Sequence, residues 1–487
     1  MKTQKYVTSV LFAVLLIIPF NLLAQENEMP ITTSSKEALQ LFLAGLEKYE
    51  RFEFTAGFEL FKDAIQKDPN LALVYAYRAF RAPFAGQPDV AREQLQKALS
   101  LVDKVSEGEK HFIYFIQAFI EGNSSKQKEH IVQLTKLFPS DKRAQFNLGW
   151  YYWYSESDYA TAIKYLKKSI ELDDQFLPPY WCLGLAYSSL GNYEAAEKSF
   201  KTYIKLAPNS ATSYGIYGNF LMKTRRYDEA IQNFNTAFEK NQNPEFTFTL
   251  INAGNIYCLE GDYKTARATY KRIYDTSKDG KLKMRSLYWQ SVTYIYENNM
   301  TEALKLYKEY QSIAEQDKQL SNYRIWAYAN FGNIHTELGD PIEGMKYYNK
   351  AIDLIDKVEL GKSEKEKIIF NSIQWQANAL IAQGELDKAK EILQKYEQQA
   401  EAKKDKSREK TLNVVRARLA MAEGNDDAAL ELLSKADASN PMTAYYRAVI
   451  YEKKGDKEKA SELYKKIEEW TDNSIDLAFV RNKIKNK

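Results

Sequence analysis

The chain has 487 residues, 45% hydrophobic and 27% charged, a composition too apolar for a disordered segment and sufficient to bury a core. Lysine and arginine total 68 against 65 aspartate and glutamate, a near balance that offers no strongly basic surface to hold a nucleic acid. With only two cysteines and three histidines, a disulfide scaffold or a histidine-rich zinc site is excluded.

The N-terminus carries Lys2 and Lys5, an apolar run from Tyr6 to Ile18, Pro19-Phe20-Asn21, and Leu22-Leu23-Ala24 before polar Gln25. This pattern predicts an export signal over 1–24, cut after Ala24, and a periplasmic or extracellular protein. Leu22 is bulky for its place before the cut, so the alternative is an uncleaved anchor, the only route by which a membrane enters the reading. No cysteine follows the apolar run, which argues against a bacterial lipoprotein.

Beyond residue 35 a period governs the chain. Gly184, Ala196, Phe200 and Pro208 are separated by twelve, four and eight positions, and the next units repeat the register with Gly218, Ala230 and Phe234, then Gly254, Ala266 and Tyr270. Small residues let two helices approach to about 8 Å, and an aromatic or leucine four residues after the second one lies on the same helix face. Gly122-Asn123, Gly191-Asn192, Gly261-Asp262, Gly339-Asp340, Gly424-Asn425 and Gly455-Asp456 follow the first helices, as a left-handed helix end followed by a new cap requires.

This register resembles the tetratricopeptide repeat, a pair of antiparallel helices of about 34 residues. Its eighth positions fall at Gly45, Ala79, Phe115, Gly149, Gly184, Gly218, Gly254, Ser291, Gly332, Ala377, Ala417 and Ala448. The fold predicted is all-α, a right-handed superhelical solenoid of about twelve antiparallel helix pairs. It divides into an array over 35–275 and a second over 281–487 with longer helices, in one continuous solenoid. Phe115 and Gln127 break the small-residue rule and predict an irregularity over 103–140, and Ile475, Leu477, Phe479 and Ile484 predict a short helix capping the open end. Cys182 and Cys258, two repeats apart, are read as buried apolar residues.

No catalytic constellation is visible. His111, His130 and His335 fall in different parts of an elongated stack and are not expected to meet; no cofactor or metal is expected, and no enzyme. What the resemblance implies is a concave groove lined by first helices, whose second, fifth, ninth and twelfth positions face a ligand. Carried onto this sequence, those positions are Arg143, Phe146, Trp150, Trp153 and Trp181, then Asn219, Asn255, Tyr288 and Arg285, Trp326 and Asn333, Gln374 and Asn378. A lysine clamp for a terminal carboxylate is missing, because the fifth positions beside the asparagines are Gly215, Ile251, Ala329 and Gln374. The reading is a scaffold for a protein or peptide of unknown identity, held by aromatic area rather than charge; the alternative is a surface protein stacking glycans on Trp150, Trp153 and Trp181.

Overall fold

The computed structural model describes residues 28–241, 246–317, 320, 322–400 and 406–485. The export signal expected over 1–24 lies outside them. The described residues contain helices and no strand, as an all-α helical solenoid. The described residues form two compact units, divided between Tyr217 and Gly218.

The first unit contains α1 Lys36–Glu50, α2 Phe54–Lys67, α3 Ala72–Arg81, α4 Pro88–Ser100, α5 Glu107–Ile120, α6 Ser124–Leu137, α7 Lys142–Tyr151, α8 Tyr159–Leu172, α9 Pro178–Ser189 and α10 Tyr193–Leu206. The division falls inside α11 Ala211–Lys223. The second unit continues with α12 Tyr227–Lys240, α13 Thr247–Glu260, α14 Tyr263–Thr276, α15 Gly280–Tyr296, α16 Met300–Gln316, α17 Tyr323–Glu337, α18 Pro341–Asp353, α19 Lys362–Gln383, α20 Leu386–Ala400, α21 Lys406–Ala422, α22 Asp426–Ser434, α23 Pro441–Lys453, α24 Lys457–Glu468 and α25 Ile475–Ile484. Read two at a time, these are twelve helix pairs and a last helix. Residues 277–279 link α14 to α15 within the second unit.

One residue of positive φ sits between the two helices of every pair: eight glycines, and Phe52, Ser157, Arg225 and Asn298. The residue after it commonly caps the second helix, as when the Asn192 side chain accepts from the Ala195 N–H at 3.1 Å, satisfying a donor the helix start leaves open. Second helices are amphipathic and bury their small residues with the ring or leucine four positions on: Ala196 with Phe200, Ala230 with Phe234, Ala266 with Tyr270.

The eighth-position glycines do more than let helix meet helix. A Cβ on Gly218 would stand 2.6 Å from the Phe234 ring, one on Gly45 2.6 Å from Phe61, and one on Gly184 would fall on the Phe200 ring. The space left free on the first helix is filled by the large residue of the second, so small meets large across the pair. Phe115 and Gln127 are buried in the α5/α6 pair, which forms despite the broken rule. Cys182 and Cys258 are fully buried.

Segments outside the pairs shape each unit. In the first, residues 29–35 run across to later repeats: the Met29 N–H donates to Asp141 at 2.8 Å, and the Thr32 N–H donates to the buried Glu109 at 3.0 Å. In the second, the C-terminal segment reaches beyond the last pair. Helix α25 does pack on α23 and α24, but it also packs on α15. The Asn473 side chain bonds Asn255 at 3.0 Å and receives the Tyr296 hydroxyl at 2.7 Å. Leu477, Ala478 and Val480 are fully buried, so the helix fills the inside of its unit as well as closing its last pair.

Candidate functional site

The C-terminal end of α1, its turn, and the first helices α3, α5, α7 and α9 enclose a cavity of about 310 Å3 in the first unit. Repeat register explains why rings converge there. First helices stack side by side, so equivalent positions form a stripe, and this stripe carries Tyr77, Phe80, Phe112, Phe146, Trp150 and Trp181.

Four of the expected groove residues, Arg143, Phe146, Trp150 and Trp181, line this one cavity. Trp153 lies just behind, edge-on to Trp181 with ring centroids 5.5 Å apart. Trp150 is only 5% exposed, stacked on Tyr154 at 4.8 Å and edge-on to Phe80 at 5.0 Å. It stiffens the wall and presents little free ring face.

Four polar side chains interrupt the apolar lining. Arg143 holds Glu50 with two hydrogen bonds, from Nε at 2.5 Å and from a terminal nitrogen at 3.3 Å. Burial raises the Glu50 carboxyl above its ordinary range while Arg143 opposes the shift; burial also disfavours the charged Arg143, and Glu50 more than offsets this, leaving it firmly cationic. The Arg81 guanidinium lies 4.3 Å from the centroid of Phe54, within cation–π range. Asn147 is 8% exposed, and among the described residues its amide has no hydrogen-bond partner.

Sequence reasoning missed Phe52, whose φ is +63°. The turn position seven residues after the eighth-position residue is glycine in most repeats, and a bulky residue in this conformation is strained by roughly 1–2 kcal/mol. The strained turn sets the Phe52 ring on the cavity wall, 5.9 Å from Trp181 and 6.2 Å from Tyr203. A second signal was legible in the spacing: Gly149 and Ala162 are thirteen apart rather than twelve. The extra residue is absorbed as a π-turn over Tyr152–Glu156 with Ser157 left-handed, a device that re-aims side chains.

The other expected residues are distributed through the second unit. Asn219 is exposed and accepts from Asn252 at 2.8 Å. Asn255 accepts from the Tyr270 hydroxyl at 2.7 Å as well as from Asn473, so the chain's own terminal segment takes its oxygen. Tyr288 packs among the rings of the same core, and burial raises its hydroxyl pKa. Arg285 is exposed, and Trp326 meets Trp375 edge-on at 5.9 Å. Asn333, Gln374 and Asn378 line a separate, polar pocket.

The histidines require a correction. His111 and His130 do meet, Nδ1 to Nδ1 at 3.2 Å, because α5 and α6 are partners in one pair and present facing positions. Among the described residues no three His, Cys, Asp or Glu side chains are grouped to hold a metal ion. His335 is half-buried and stacked on Tyr347 at 5.3 Å.

Family models described as "Tetratricopeptide repeat" match residues 183–244, and residues 142–176, 327–357 and 444–473. Over 105 residues the chain is 29% identical to the lipoprotein NlpI homolog of Haemophilus influenzae, an alignment covering 22% of this chain and 33% of that protein. Over 234 residues it is 25% identical to the TPR repeat-containing protein MJ1428 of Methanocaldococcus jannaschii, covering 46% and 40%. The chain thus spans about a third to two fifths of the length of these relatives. Among solved structures, YrrB, described as a TPR protein with an unusual peptide-binding site, aligns with TM-score 0.29 and 20% identity over 39% of this chain and 94% of its own.

Proposed function

Because the chain is a tetratricopeptide repeat protein, we propose that it is a non-enzymatic scaffold holding a protein or peptide partner at the cavity of its first unit. The partner inserts a large apolar side chain there. Convergence is the observation that carries this reading: four residues that the family resemblance implied as ligand-facing line one cavity of about 310 Å3, near the lower end of small-ligand pockets at roughly 300 Å3.

The chemistry fits an anchor residue on a peptide. Rings supply apolar area at low entropic cost, and the unpartnered Asn147 amide can both donate to and accept from a backbone amide. Arg143 and Glu50 neutralise each other, so binding depends little on salt. A glycan needs an open ring face, and Trp150 is enclosed by Tyr154 and Phe80, which favours the peptide. We also place the protein outside the cytoplasm, from the basic and then apolar run ahead of Ala24; recovery of a mature chain starting at Gln25 from the exporting cell's envelope tests that placement.

Selection of a random-peptide display library on the full chain tests the binding reading. Peptides with an aromatic or large aliphatic anchor are expected, with affinity at least tenfold weaker toward Phe146→Ala or Trp181→Ala. Phe52→Gly relaxes the strained turn, so it is expected to fold while losing affinity. Failure to enrich any peptide, or equal binding to all three variants, contradicts the reading.

A further inference from the structure

The second unit holds a pocket of about 260 Å3 that differs in character from the first cavity. First helices α17, α19, α21 and α23 form one side, and Asp476 and Phe479 of the terminal helix form another. The terminal helix therefore bounds a chamber where a bare solenoid would leave an open groove.

Two charges stand in this chamber. Arg418 of α21 lies with its guanidinium carbon 5.6 Å from the Tyr446 ring centroid, and among the described residues it has no hydrogen bond and no ion pair. Asp476, in the first turn of α25, also has neither among the described residues. The remaining carboxylate of the lining, Glu337, is taken by Lys483. Opposite charges that share a small enclosure normally pair, because each loses hydration on burial. Here α21 and α25 hold them apart.

Further polar groups around them are unsatisfied. The Gln374 Nε2, the Asn378 Oδ1 and the Tyr446 hydroxyl are buried without a partner, although buried polar atoms are nearly always hydrogen-bonded. Those three orphans share the chamber with an unpaired cation and an unpaired anion, a concentration that packing alone does not account for.

The geometry points to a binding site for a small zwitterion, a free amino acid or a close relative, with its carboxylate on Arg418 and its ammonium on Asp476. A guanidinium receives a carboxylate through two parallel hydrogen bonds, and a carboxylate accepts the N–H donors of an ammonium. The amides of Gln374 and Asn378 then bond the remaining polar atoms. The enclosed volume suits a small molecule. This site is distinct from the anchor cavity of the first unit and does not depend on it.

The site carries its own pH signature. The Asp476 carboxyl is pushed up to about 6, chiefly by burial and further by Glu337, with Arg418 and Lys483 opposing. The hydroxyls of Tyr288 and Tyr446 complete its titratable surroundings. Protonation removes the partner of the ammonium, so affinity for a zwitterion falls as pH drops through about 6.

Calorimetric titration of the full chain with each of the twenty free amino acids, and with the deamino acid and carboxamide of each binder, tests this site. At least one amino acid is expected to bind with millimolar or better Kd, and both analogues at least tenfold more weakly. Asp476→Asn is expected to bind the amino acid and its deamino acid alike, and Arg418→Gln to bind neither. Circular dichroism establishes that the variants are folded; should either fail to fold, the analogue series and the pH dependence on the unaltered chain decide. No binding by any amino acid at 10 mM, or a deamino acid that binds as tightly as its parent, overturns the assignment.

Discussion

Gly184 shows how a single residue specifies this fold. Its missing Cβ leaves the place that the Phe200 ring occupies, and both residues are buried. Alanine is a better helix former than glycine by about 1 kcal/mol, but an extra methyl in a filled core costs about 1–3 kcal/mol. Gly184→Ala is therefore expected to lower stability in denaturant by about 1 kcal/mol; a gain of that size would mean the ring does not fill the gap. The histidine pair offers a second test. Burial chiefly, then the neighbouring His111, lowers the pKa of His130. The unfolded chain, with an ordinary value of about 6.5, then binds the proton more readily. Stability is lost as pH falls through that value toward the folded one. Unfolding compared at pH 7.5 and 5.5 is expected to show a smaller loss in His130→Gln than in the unaltered chain; an equal loss refutes the sign.

Among the elements, the terminal helix has the widest reach. Its Leu477, Phe479 and Val480 are at most 5% exposed, and each such side chain contributes roughly 1.5–3 kcal/mol on burial. Asn473 and Arg481 join it to Asn255 and to the Leu259 carbonyl on α13, and Asn482 donates to the Ile295 carbonyl on α15. Ending the chain at Asp472 is accordingly expected to raise amide hydrogen exchange at least tenfold over Thr247–Glu260 and Gly280–Tyr296. A rise confined to Pro441–Glu468 would reduce the helix to an end cap. Sequence pattern found this helix from its apolar residues but not its further contacts with α13 and α15, because a ten-residue stretch says which face is apolar and nothing about which distant helices cover it.

At the scale of the molecule, the pairs and their turns were legible because they are local. Gly191-Asn192 ends one helix and caps the next wherever the chain goes, and Gly184 to Ala196 is fixed by the geometry of a single hairpin. The groove was legible in part. The family resemblance implied Arg143, Phe146, Trp150 and Trp181 as groove residues, and they line one cavity. The remainder depends on contacts between distant segments: Phe52 reaching Trp181, Glu50 meeting Arg143, and Asn473 taking the oxygen of Asn255. No repeat period encodes those meetings. Phe52 in a glycine's place and the one extra residue between Gly149 and Ala162 were the traces they left in the sequence.

Amide hydrogen exchange of the full chain, with and without a display-selected peptide, tests the anchor cavity most directly, since protection on binding maps where a partner sits. Protection is expected at the turn 50–54 and along Ala72–Arg81, Lys142–Tyr151 and Pro178–Ser189. Protection confined to the second helices Pro88–Ser100, Ser124–Leu137 and Tyr159–Leu172, or to the second unit alone, would contradict the assignment.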